Sequence, residues 1–279
     1  MPHAFRLLNV FTIDGDPFSG NPLCVVEDAR GLSTAQMQAI ALQMNLSETT
    51  FVLPAERGGD ARVRIFTPGY EMPFAGHPTL GTAAVVANGR SSVTLEMIAG
   101  NVAVTLDETI TLRAAREPTT RPFAASRFET AAMLGLPVDA IADDPLWVNT
   151  GVEQLVIPLE SPDHVRDARP VAALIEQHAM NAGREEAMAY VWARATPHWS
   201  VRFFFTSNGA LLEDPATGSA CANLGGYLIA RNAPLPVVAT LLQGDAIKRP
   251  SRLGLRVADD RAIYVSGTAH EIGRGSLAL

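Results

Sequence analysis

The stretch Arg64-Ile65-Phe66-Thr67-Pro68-Gly69-Tyr70-Glu71-Met72-Pro73-Phe74-Ala75-Gly76-His77-Pro78-Thr79-Leu80-Gly81-Thr82-Ala83 has an echo in the second half of the chain. The echo reads Arg202-Phe203-Phe204-Phe205-Thr206, then Glu213-Asp214-Pro215-Ala216-Thr217-Gly218-Ser219-Ala220. In both copies an apolar strand led by Arg ends in Phe-Thr, and a loop follows. A polar residue and Pro then open a small-residue segment of the form Pro-x-x-Gly-(Thr/Ser)-Ala. Order, residue type and spacing agree together, which is the signature of an internal duplication. Aligned on Pro78 and Pro215, the two copies pair His77 with Asp214.

The 279 residues have room for two such halves, each near the usual domain size. Residues 118–122, with two prolines, two threonines and an arginine, read as the linker. The expected domains are 1–116 and 122–267, with the tail 268–279 packing back on the first. Hydrophobic content of 47% and charged content of 18% describe a well-buried globular protein rather than a disordered one. The net charge of −7 leaves no electrostatic footprint for nucleic acid or for an anionic membrane surface. Without a leader-like segment or a run of ~20 apolar residues, a soluble cytoplasmic protein with small-molecule partners is expected.

Along the first half, residues 7–12 and 22–26 read as strands around the loop Asp14-Gly15-Asp16-Pro17-Phe18-Ser19-Gly20-Asn21. Ser33 can cap a helix whose residues Met37, Ile40, Ala41 and Met44 share a face. Glu48 then falls at the junction of that helix with strand 49–53, a place for either a partly enclosed carboxylate or, as is commoner for Glu, a loop carboxylate in water. Residues 78–88 are apolar or small nearly all round, the pattern of a helix buried centrally. Pro78 suits its first position and Asn88-Gly89 its stop.

In the second half, Ser126-Arg127-Phe128-Glu129 forms a capping box opening a helix that ends at Gly135, and residues 171–180 read as an amphipathic helix. The second central helix is expected over residues 215–230, with Asp214 as its N-cap. Its glycines make it poor in propensity, so packing must hold it. Strands near 237–243, 253–257 and 263–266 close this half.

Several chemistries find no support. Gly273-Arg274-Gly275-Ser276-Leu277-Ala278 matches a dinucleotide fingerprint on paper but leaves no room for the helix it requires. The histidines show no metal-ligating spacing, Lys248 is the only lysine, and Cys24 and Cys221 form no disulfide framework. No metal and no cofactor are expected.

Two helices beginning at Pro78 and Pro215 would, in a two-fold arrangement, bring their positive N-termini to the domain interface as a receptor for an anionic substrate. Gly76, Gly218 and Ser219 would let backbone approach the ligand, with His77 and Asp214 flanking it. Such a cleft suits proton transfer at a carbon next to a carboxylate.

Asn45-Leu46-Ser47-Glu48-Thr49-Thr50-Phe51, Glu71-Met72-Pro73-Phe74-Ala75-Gly76-His77-Pro78, Glu213-Asp214-Pro215-Ala216-Thr217-Gly218-Ser219-Ala220 and Gln243-Gly244…Arg249-Pro250-Ser251 resemble the PhzF-like phenazine biosynthesis family. The resemblance spans nearly the whole chain. It implies an α+β, diaminopimelate epimerase-like fold: two similar pseudo-two-fold-related domains, each a curled, mostly antiparallel sheet around a central helix. It also implies a homodimer, with Glu48 as the acid/base that carries a proton between two substrate carbons. His77 and Asp214 assist, and Gly76, Gly218 and Ser219 bind the substrate. One departure from the family pattern is Ser207, where proline is usual.

The activity so implied is a cofactor-independent isomerase acting on a small, cyclic, anionic carboxylate. Epimerases of this fold use mirrored cysteines, and aligned on the two prolines Cys221 stands opposite Ala84, so the thiol pair is absent. The competing readings are an amino-acid epimerase or racemase without that pair, and a ligand-binding protein without turnover.

Overall fold

A computed structural model describes residues 2–14, 16–114, 116–181, 186–207 and 209–279, so Gly15 of the first loop lies outside the described residues. The chain divides into two compact units, residues 1–115 with 264–279, and residues 116–263. The first runs β1 (His3–Val10), β2 (Asn21–Val26), α1 (Thr34–Met44), β3 (Glu48–Leu53), β4 (Ala61–Phe66) and β5 (Glu71–Met72). It continues with α2 (Gly76–Ala87), β6 (Ser92–Met97), β7 (Gly100–Leu106) and β8 (Ile110–Arg113). The second runs β9 (Thr119–Pro122), α3 (Arg127–Leu134), β10 (Leu146–Asn149), β11 (Glu153–Pro158), α4 (Pro162–Asp167) and α5 (Ala172–Ala179). After these come β12 (Met188–Ala193), β13 (Trp199–Ser207), β14 (Ala210–Asp214), α6 (Gly218–Ala230), β15 (Val237–Gln243) and β16 (Ser251–Val257). The last strands are β17 (Ile263–Gly267) and β18 (Ala269–Leu277).

The two units repeat one ladder. In the first, β18, β1, β2, β3, β4, β6, β7, β8 and β17 lie side by side, antiparallel except for the parallel pairs β2/β3 and β4/β6. In the second, β9, β10, β11, β12, β13, β15 and β16 do the same, with β11/β12 and β13/β15 parallel. The short strands β5 and β14 form hairpins with β4 and β13. Each parallel pair needs a crossover, and helices supply it in corresponding places. The architecture is the expected α+β one, a curled mostly antiparallel sheet with a central helix in each unit.

Alternation along the strands places the helices. Leu23 and its neighbour Cys24 point to opposite faces. On the Cys24 side, Met37, Ile40 and Ala41 of α1 pack with Phe51 and Phe66. On the Leu23 side lies α2, whose residues Gly76 to Ala83 are all buried. A Cβ on Gly81 would meet Leu23 Cδ2 at 2.5 Å and Val10 Cγ2 at 2.8 Å, so glycine lets the helix seat on the sheet. In the second unit α3, α4 and α5 cover the Leu155, Ile157 and Phe204 face, and α6 is buried along nearly its whole length.

Three readings of the sequence change. The central helices start at Gly76 and Gly218, not at Pro78 and Pro215. Residues 119–122, read as linker, are strand β9 paired with β10. Strand β17, expected to close the second half, pairs along β8, which moves the boundary from 267/268 to 263/264. The paper match to a dinucleotide fingerprint lies on β18, with Gly275 opposite Phe5 of β1.

The strongest repeated feature is an ion pair. Arg64 donates from Nε and Nη2 to the two oxygens of Glu71, at 2.7 and 2.6 Å. Arg202 does the same to Glu213, at 3.0 and 2.7 Å. Each guanidinium also lies over the phenylalanine two residues on, Phe66 or Phe204. The pairs close the hairpins that lead into the central helices, and in both units the helix begins five residues beyond the glutamate. Arg202 Nη1 further donates to the carbonyls of Val165 and Ala168 at the end of α4. With side-chain exposures of 11% and 8%, the Arg202–Glu213 pair is the more enclosed of the two. Removing one partner of a buried pair strands the other charge, which costs about 3–5 kcal/mol. Arg202→Met is therefore expected to cost about 3 kcal/mol in urea unfolding and Arg64→Met less. The double variant Arg202→Met/Glu213→Leu should recover part of the loss.

Candidate active site

Glu48 is the first residue of β3, and the chain before it is pinned at each step. Helix α1 opens with the capping box of Ser33 and Gln36 and ends at Asn45, whose φ of 52° turns the chain left-handed. Ser47 donates to Asn21 Oδ1 at 3.2 Å, and Glu48 sits beside Leu23 in the parallel pair. The carboxyl that results is enclosed, with 14% of its side chain exposed, and its Oε2 lies 3.4 Å from Nδ1 of His77.

His77 is the second residue of α2 and is buried. Burial pushes its pKa down to about 3, with the backbone of Pro22 acting in the opposite sense. The imidazole is therefore neutral at neutral pH, and its contact with Glu48 is not an ion pair. At 3.4 Å the two groups are beyond ordinary N–H···O distance.

In the second unit Asp214 ends β14 and is not the N-cap of α6. That position belongs to Thr217, which makes no side-chain cap bond, so the capping role expected of Asp214 is corrected. Its carboxylate instead accepts from the Thr217 hydroxyl at 2.5 Å. Gln243 at the end of β15 braces this turn: Nε2 donates to the Asp214 carbonyl and to Thr217 Oγ1, and Oε1 accepts from the Thr217 N–H. Gly244 follows at φ 83°, where a Cβ would lie 2.2 Å from the Arg249 carbonyl oxygen. The Gln-Gly…Arg motif is thus the clamp behind Asp214.

Ser219, second residue of α6, accepts from Gln154 Nε2 at 3.0 Å. Gln154 is bonded to Asn223 of the same helix, and both amides are buried. Thr217, Gln243, Gln154 and Asn223 were not singled out as single residues by sequence reasoning. A buried amide in an otherwise apolar strand or helix, as in Glu153–Pro158 and Gly218–Ala230, is the signal that points to them.

The ladder also revises the internal alignment. Phe66 pairs Glu71 and Phe204 pairs Glu213, so Gly76 corresponds to Gly218 and His77 to Ser219, not to Asp214. Pro73, rather than Pro78, is the counterpart of Pro215. Cys221 then stands opposite Thr79, and Cys24 lies buried on β2, its thiol pushed up to about 12 by burial. The mirrored thiol pair is still absent. Thr49 pairs Phe66 and Ala189 pairs Phe204, which sets Met188 opposite Glu48. The carboxyl of Glu48 has an apolar counterpart.

The sequence profile of the family described as phenazine biosynthesis-like protein matches residues 8–275. The chain belongs to the phenazine biosynthesis-like family. It is 40% identical to an uncharacterized isomerase of Pasteurella multocida, over 99% of this chain and 94% of that protein. It is 34% identical to the trans-2,3-dihydro-3-hydroxyanthranilate isomerase of Pseudomonas aeruginosa, over 99% and 100%. A crystal structure of the Bacillus anthracis PhzF-family phenazine biosynthesis protein superposes with a TM-score of 0.85 at 26% identity, covering 100% of each chain. Phenazine biosynthesis-like proteins with these names are isomerases, and an isomerase is what this chain is. Among the described residues no cluster of three or more His, Cys, Asp or Glu could hold a metal ion, and no helix is long and apolar enough to cross a membrane.

The neutral state of His77 has a measurable consequence. Its folded pKa of about 3 lies below the ordinary 6.5, so between these values the unfolded chain binds a proton that the folded one refuses. Stability from this source therefore falls as pH drops from 6.5 toward 3, by up to about 1.4 kcal/mol per pH unit. His77→Gln should flatten that acid limb, measured by urea unfolding at pH 7, 5.5 and 4.5.

Proposed function

We propose that the protein isomerises a small cyclic carboxylate by moving one proton between two of its carbons, with Glu48 as the acid/base. The carrying observation is the Glu48 carboxyl, enclosed, 3.4 Å from a neutral imidazole, with Met188 at the mirrored position. Ionised Glu48 removes a proton from a carbon conjugated to the substrate carboxylate, and the electron pair spreads into the ring. The protonated Glu48, whose O–H exchanges with solvent between the two transfers, then delivers a proton to a second carbon. No net proton, electron or group is exchanged with the surroundings, and the double bonds shift. His77 packs beside the carboxyl as a neutral ring and does not compete for its proton. Asp214 offers an oriented carboxylate to a substrate polar group, and Gly218 and Ser219 at the start of α6 receive an anionic oxygen, the role Gly76 has at the start of α2.

The Pseudomonas aeruginosa relative supports a dihydro-hydroxyanthranilate as the substrate class. A two-base racemase would be served by a second carboxylate opposite Glu48, and Met188 in that place favours a single shuttling group. In D₂O, wild-type protein is expected to move deuterium into trans-2,3-dihydro-3-hydroxyanthranilate with migration of its double bonds, followed by NMR. Glu48→Gln should reduce the rate by at least ~10³-fold while leaving the melting temperature within a few degrees. Turnover at the wild-type rate in Glu48→Gln would sink the assignment, and exchange without bond migration would turn it toward an epimerase.

A further inference from the structure

We infer that Gln154 and Asn223 are positioning residues that fix the Ser219 hydroxyl as a hydrogen-bond donor toward an acceptor oxygen of the substrate, a carboxylate oxygen being the class that fits. This rests on the reading of Ser219 as a substrate-binding residue. The direction of every bond in the chain behind Ser219 is determined. The backbone N–H of Thr150 can only donate, and it meets Asn223 Oδ1 at 2.9 Å. The Thr150 hydroxyl donates to the same oxygen at 2.8 Å. Asn223 Nδ2 is then the donor end, and it meets two acceptors at 2.8 Å, the Val152 carbonyl and Gln154 Oε1. With Oε1 occupied as acceptor, Gln154 turns Nε2 to Ser219 Oγ and donates at 3.0 Å. Ser219 thus accepts from behind, and its one hydrogen is left to be donated away from Gln154. At the start of α6 the partial positive charge of the helix end acts in the same sense, toward an anionic oxygen.

Packing alone does not call for these amides. The ladder makes Gln154 the counterpart of Leu23 of the first unit: Cys24 pairs Thr49 and Leu155 pairs Ala189, the equivalent of Thr49. The helix register sets Asn223 opposite Gly81. In the first unit Leu23 and Gly81 make the same strand-to-helix contact with no side-chain polar atom. The second unit places two primary amides there, at 2% and 0% exposure. Left unbonded, each amide would carry the full penalty of a desolvated polar group. What the amides add is a rigid, polarised link that ends on Ser219.

The test measures anthranilate binding by calorimetry to wild type, Gln154→Leu, Gln154→Glu, Ser219→Ala and Gln154→Leu/Ser219→Ala, each checked for melting temperature. Ser219→Ala should weaken binding about tenfold. Gln154→Glu, which accepts the serine hydrogen and reverses the link, should weaken it at least as much. Gln154→Leu should weaken binding severalfold in the wild-type background and not in Ser219→Ala. A Gln154→Leu penalty that persists in full in Ser219→Ala overturns the inference, as does a wild-type protein that binds no anthranilate. Deuterium exchange is read separately: its absence with anthranilate affinity intact counts against proton transfer by Glu48 and leaves the polarity of Ser219 standing.

Discussion

A helix buried on nearly all sides has to be delivered to its place by chain that is itself held, and in each unit that holding is done by one arginine and one glutamate. Arg64 with Glu71, and Arg202 with Glu213, lock a short hairpin by two parallel hydrogen bonds, and the central helix starts five residues later. The pair is enclosed enough to be costly to break and fixed enough in geometry to set a register. His77 and Ser219 are the second residues of those two helices, and Glu48 and Asp214 stand at strand ends.

On this shared frame the units diverge at a handful of mirrored positions. Where the first has Glu48, the second has Met188; where the first has Leu23 and Gly81, the second has Gln154 and Asn223. In both, a polar side chain from a strand approaches the second residue of the helix: Glu48 beside His77, and Gln154 bonded to Ser219. The first unit so acquires a titratable group held against a neutral partner. The second acquires a donor of fixed direction, beside an Asp214 carboxylate oriented by Thr217 and Gln243. A duplicated scaffold thus encloses a carboxyl beside an imidazole in one copy and an amide-to-hydroxyl link in the other.

Much of this was legible in the residues because it is local. The capping boxes at Ser33 and Ser126, the stops at Asn45 and Gly135, the glycine-rich all-apolar helices and the helix-to-strand junction at Glu48 are each written within a few consecutive positions. The duplication was legible for the same reason, as repeated residue types in order. Its alignment was not, because the first copy offers two prolines, Pro73 and Pro78, and either fits a short motif. Choosing between them takes the cross-strand partner of Phe66 and of Phe204, a contact made across a turn of unspecified length.

By itself, then, the sequence determined that the protein has two like halves, roughly where its central helices run, and that Glu48 stands at a helix-to-strand boundary, while its enclosure came from the structure. Periodicity, caps and turn residues act over one or two turns of chain, so they can be read without knowing the fold. Only the tertiary structure decided that His77 corresponds to Ser219, that Asp214 holds a threonine hydroxyl rather than a helix end, and that β17 belongs with β8. It alone brought Gln154 and Asn223 together behind Ser219, Gln154 being 65 positions from Ser219 and 69 from Asn223. Strand register and buried polar contacts join residues far apart in sequence, and no local preference selects such a partner from among many of the same type.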